Sequence, residues 1–83
     1  MKFFYKYMSL KEQASQILNN FENTQSDQIV QTLNEIKTQF KSQLTKDYLQ
    51  GKIDALNNAK TEPEKKALCK NLIPYLDWYI QGI

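Results

Sequence analysis

The sequence predicts an all-α fold, a small antiparallel bundle of four helices, and three observations predict it. Apolar residues recur at helical spacing in four separate stretches. Glycine and proline are scarce, two of each, which disfavours a turn-rich β fold. Ser or Thr stands where most of the stretches begin, as helix caps do. Eighty-three residues make one domain, 1–83, with no room for a second core. With 41% apolar and 24% charged residues the chain is globular in composition.

The first helix is predicted from Ser9. Ser9 and Glu12 match a capping box, in which the hydroxyl accepts from the third backbone amide and the carboxylate reaches back. Behind them Leu10, Ala14, Ile17, Leu18 and Phe21 repeat with helical spacing. The stripe also runs backwards through Tyr7 and Phe3, so a helix continuous from about Phe3 is the alternative. In the favoured reading residues 1–8 are an aromatic leader, with Phe3 or Phe4 packed on the last helix beside Leu72 and Leu76. Asn19, Asn20 and Asn23 then end the first helix by bonding their own backbone.

Residues 26–44 form the stretch around which the rest is organised. Ile29, Leu33, Ile36, Phe40 and Leu44 share one side of a helix, with Val30 on the flank, while Gln31, Asn34, Glu35, Thr38, Lys41 and Ser42 face away. Asp27 suits the positive end of that helix. Continuing past Leu44 would set Asp47 in the centre of the stripe, where an unpaired carboxylate is costly. A break within about two residues of Thr45, with Thr45 as the next cap, is therefore predicted. Tyr48, Leu49, Ile53, Leu56 and Ala59 define a third helix. Gly51, Ala55 and Ala59 lie along one flank of it, which predicts the close approach of a neighbouring helix.

The fourth helix has the strongest start. Thr61 is a cap, Pro63 a first-turn proline and Glu64 a capping-box acid. Leu68, Leu72, Leu76 and Tyr79 or Ile80 make its stripe. Pro74 has no amide for the carbonyl of Lys70, so a kink, or a break into two short helices, is predicted between about Lys70 and Pro74.

The same residues bound the function. Histidine and arginine are absent, and all eleven basic residues are lysine. Without histidine there is no ready base at neutral pH to activate a hydroxyl or thiol. Cys69 sits beside Leu68 in an apolar-periodic helix and reads as a small core residue. Glu62 and Glu64 read as helix-start acids. No metal-ligand spacing and no phosphate-cradling glycine loop is present, so neither catalysis nor a metal or cofactor is expected.

The lysines are spread evenly against the acids to give a net charge of +2, and no basic arm demands a polyanion. One cysteine, no run of 18 apolar residues and no secretory signal make a cytoplasmic location the expectation.

Seven of the ten aromatic residues cluster at the ends: Phe3, Phe4, Tyr5 and Tyr7 at one, Tyr75, Trp78 and Tyr79 at the other. Neither cluster is one-sided, so some rings should stay exposed. The expected function is binding of another protein by a non-catalytic bundle, as an immunity factor, antitoxin, inhibitor or adaptor would do. Tyr5, Tyr75 and Trp78 are the expected contacts. In its size, helical patterning and Lys- and Asn-rich composition the chain has the general appearance of bacteriocin immunity proteins and of phage-encoded inhibitors. That likeness is one of class and rests on no motif. The alternatives are a nucleic-acid-binding domain using Lys37, Lys41, Lys46 and Lys52, which the lack of arginine disfavours, and a homo-oligomerisation module such as a homodimer. Contact with a membrane would be peripheral at most.

Overall fold

The computed structural model describes residues 9–82 as five helices, with no strand among them. They are α1 (Leu10–Asn19), α2 (Ser26–Lys37), α3 (Gln43–Asn58), α4 (Glu62–Lys70) and α5 (Ile73–Ile80). A single 3-10 turn, Phe21–Asn23, joins α1 to α2. Helix α2 packs against all four others, and α1 lies most extensively on α5. The predicted packing of Phe3 or Phe4 lies outside the described residues.

Capping sets the starts. Ser9 is extended (φ −64°, ψ 161°), so α1 begins there and not at Phe3. Its hydroxyl accepts from the Glu12 amide at 3.1 Å, and its own amide donates to Glu12 Oε1 at 2.8 Å, which completes the predicted box. Thr61 caps α4 by accepting from the Glu64 amide at 3.3 Å, but the Glu64 carboxylate accepts from the Thr61 hydroxyl at 3.1 Å and not from its amide, so the predicted box forms only in its first half.

Helix α2 is capped from a distance. No side chain of Gln25, the residue before it, bonds the helix. Instead the Glu62 carboxylate accepts from the Ser26 amide at 3.0 Å and from the Ser26 hydroxyl at 2.7 Å. Ser26 is buried, so its hydroxyl needs this partner. Glu62 thus stands at the positive ends of two helices and ties α4 to α2. The two bonds from Ser26, amide first, hold its carboxyl below the ordinary value of 4.5.

A carboxyl depressed by folding stabilises the fold above its unfolded pKa, and that stability is lost as the pH falls through the folded value. Wild type should therefore melt higher than the Glu62→Gln variant near neutral pH, and thermal scans should show the gap closing on acidification below about 4.5. A gap independent of pH would show that the bond, not the charge, matters.

The break after α2 lies earlier than predicted. Thr38, Gln39 and Phe40 each bond the carbonyl three residues back, which tightens and ends the helix at Lys37. The Thr38 hydroxyl also donates to the Glu35 carbonyl at 2.7 Å. Ser42, not Thr45, then caps α3, its hydroxyl accepting from the Thr45 amide at 3.2 Å. Asp47 is exposed and accepts from Gln43, off the apolar stripe as the phase argument required.

Two residues counted in the apolar stripes lie off the core, Leu44 because of this boundary and Tyr48 by its own phase within α3. Leu44 falls in the first turn of α3, about 140° around the helix from Leu49, and Tyr48 about 100° from it. Both point outward, with Leu44 80% and Tyr48 58% exposed.

The last predicted helix is divided, which accounts for a fifth. Helix α4 stops at Lys70, Asn71 and Leu72 bond back to Leu68 and Cys69, and α5 starts at Ile73. Pro74 thereby falls in a first turn, where its missing amide leaves no bond unmade.

The core is one cluster: Ala14 and Ile17 of α1; Ile29, Leu33 and Ile36 of α2; Leu49, Ile53 and Leu56 of α3; then Phe40, Cys69, Leu72, Tyr75 and Leu76. Cys69 is buried as expected of a small core residue.

Gly51 does not mark a close helix approach. A methyl group there would meet nothing within 4 Å, and the residue is exposed in mid-helix. The expected effect of Gly51→Ala is thus stabilisation by about 1 kcal/mol from helix propensity, read as a higher melting temperature. An unchanged or lower value would restore the close-approach reading.

Candidate functional site

The aromatic surface is built from the linker after α2 outward. Phe40 follows Ile36 by one turn, so although it lies beyond α2 it keeps the phase of that helix and stays buried. Its ring meets Tyr75 edge-on, with centroids 6.2 Å apart and planes at 73°. Tyr75 meets Trp78, one turn along α5, at 5.3 Å and again 73°. Edge-to-face pairs of this kind add about 0.5–1.5 kcal/mol each beyond the area they bury. The row Phe40, Tyr75, Trp78 runs from the core to the surface.

Of the three expected contacts, only Trp78 is placed as foreseen, with 44% of it exposed. Tyr75 is 8% exposed, and the expectation that it faces solvent is corrected. The early end of α2 brings Phe40 over it, so Tyr75 supports the indole from behind. Burial holds its hydroxyl above the ordinary phenol value, and neighbouring Tyr48 pushes it further the same way. Tyr5 lies outside the described residues.

Beside Trp78 runs an open groove of about 710 Å³. It lies among the first turn of α1, the linker of residues 38–42, the start of α3 and the end of α5. Phe40, Trp78 and Tyr79 give it apolar walls; Gln39, Ser42 and Thr45 supply polar groups, and among the described residues Lys11 and Lys41 carry its only charges. Gly82 also lines it, with φ at 90°, a conformation that favours glycine after a helix, and its amide donates to the Tyr79 carbonyl at 3.1 Å. On α3, whose Thr45 lines the groove, Leu44 and Tyr48 stand one turn apart on the outer face. Lys52 continues that row, its Nζ 5.2 Å from the centre of the Tyr48 ring.

Sequence reasoning missed the α3 residues because it counted them as core. The available signal was Ser42: moving the cap from Thr45 to Ser42 turns Leu44 out of phase with Leu49, Ile53 and Leu56.

Groups with catalytic or ligating chemistry are few. Burial, and secondarily Glu62, pushes the Cys69 thiol from 9.0 up to about 11, so it stays protonated at neutral pH. No three His, Cys, Asp or Glu residues among those described could hold a metal ion.

The lysines of the nucleic-acid reading are partly engaged. Lys37 donates to Gln50, and Lys52 stacks on Tyr48. Lys66, on α4, donates to the Glu22 carbonyl at 3.2 Å and lies 5.0 Å from the centre of the Phe21 ring, which fastens the 3-10 turn to α4. No helix among the described residues is long and apolar enough to cross a membrane. No protein-family model, curated protein or solved structure matches the chain.

Proposed function

We propose that the chain is a non-catalytic protein-binding domain, acting as an immunity factor, antitoxin, inhibitor or adaptor does, and that it binds through the groove at Trp78 and the adjoining face of α3. One observation carries this reading. Three large apolar side chains, Leu44, Tyr48 and Trp78, stay exposed in a domain small enough to need such groups in its core.

The Phe40–Tyr75 contact supports it, because an indole held from behind is ordered before a partner arrives and less entropy is lost on binding. Trp and Tyr are also the side chains that most often dominate interface energy. The protonated, buried thiol and the lack of histidine favour binding over catalysis.

Site-specific photocrosslinking in the source cell tests the reading. A photoreactive phenylalanine at Leu44 or Tyr48 should give one discrete protein adduct, and the same group at Ala67, an exposed residue of α4, should give none. Equal adducts at all three positions, or none at Leu44 and Tyr48, would count against it.

A further inference from the structure

We infer that the segment docking in the groove is acidic: a short peptide segment with one aromatic or leucine-like anchor flanked by Asp or Glu. The inference rests on the reading of the groove as a protein-binding site and adds the chemistry of the partner. Among the described residues the groove is lined by two lysines, Lys11 and Lys41, and by no acidic residue. Both lysines are exposed, and the acids nearest the lining residues in the chain keep their charge but turn to local bonds outside the lining. Glu12 accepts from the Ser9 amide at 2.8 Å, Asp47 from Gln43 at 2.9 Å and Asp77 from Gln81 at 2.9 Å. Lys52 adds a third cation along the α3 row. The site therefore presents apolar walls under a positive rim, and a complementary ligand offers an apolar anchor with negative flanks.

The alternatives fit less well. A second copy in a two-fold dimer would set this patch against itself and bring like charges together at the rim. An anionic bilayer would match the charge, but it is flat where the groove is concave and within the size range of sites that enclose a ligand.

The test is selection of short random peptides displayed against the immobilised full chain. Enriched peptides should carry net negative charge and an aromatic or leucine anchor, and should bind more weakly as salt is raised. In the Lys11→Glu, Lys41→Glu double variant their affinity should fall about tenfold, the sum of two rim charge pairs. Both positions are exposed, and circular dichroism should show an unchanged fold.

Neutral or basic peptides that still depend on Trp78 would overturn the inference while leaving the binding surface standing. Acidic peptides indifferent to the charge reversal would overturn it too. If no enriched peptide depends on Trp78, Leu44 or Tyr48, both readings fall. Binding of phosphatidylglycerol vesicles that needs Trp78, with no peptide enriched, would assign the groove to a membrane. Dimerisation lost in Trp78→Ala would assign it to a second copy. Either result overturns the inference.

Discussion

Leu33→Ala is expected to lower the unfolding free energy by about 3 kcal/mol, within the range for truncating a fully buried leucine. Leu33 is fully buried on α2, the helix that touches every other one, so the space left behind has fixed walls on several sides. A domain of 83 residues has a total stability of roughly 4–12 kcal/mol, so the loss is a large share of it. Urea unfolding should show a lower midpoint with an unchanged slope.

Leu44→Ala is the matched control, the same chemical change at an 80% exposed site, and should alter stability by no more than about 0.5 kcal/mol. Equal losses at the two positions would mean that the helix break at residues 38–42 is misplaced.

Trp78→Ala should have the largest effect on binding, weakening the partner or a selected peptide by about 2 kcal/mol or more, roughly thirtyfold. Its effect on the fold should be smaller. Trp78 is 44% exposed, and among the described residues its ring contact is the edge-on meeting with Tyr75. Calorimetric titration beside urea unfolding separates the two quantities. A stability loss as large as the binding loss would make Trp78 a structural residue. Tyr75→Ala should show the reverse balance, because Tyr75 belongs to the core.

The helical class was legible in the sequence because the apolar spacing and the caps at Ser9 and Thr61 agree with one another. The break before Pro74 was legible for a covalent reason, since proline has no amide to donate. What could not be read was set by contacts distant in the chain. Glu62 looked like an ordinary first-turn acid, and nothing local indicates that it caps Ser26, 36 residues away.

The apolar stripe of residues 26–44 concealed the break at 38–42. Phe40 keeps the helical phase through turns that are no longer α-helical, so periodicity alone continued smoothly to Leu44. That same concealment assigned Leu44 to the core, while Tyr48 was counted there with the third helix although it stands about 100° from Leu49. Trp78 was found because its crowding with Tyr75 and Tyr79 left too many rings for one face. Tyr75 was misjudged because its cover, Phe40, arrives from another element.

Trp78 is the one tryptophan in the chain, so fluorescence excited beyond the absorption of its five tyrosines reports on the proposed site alone. The most direct measurement is its emission spectrum during titration with a selected peptide that lacks tryptophan. Docking in the groove predicts a shift of the emission to shorter wavelength, and protection from acrylamide, that saturate with the binding isotherm. Binding that saturates while the emission and its quenching stay those of the free chain would contradict the assignment of this groove as the binding surface.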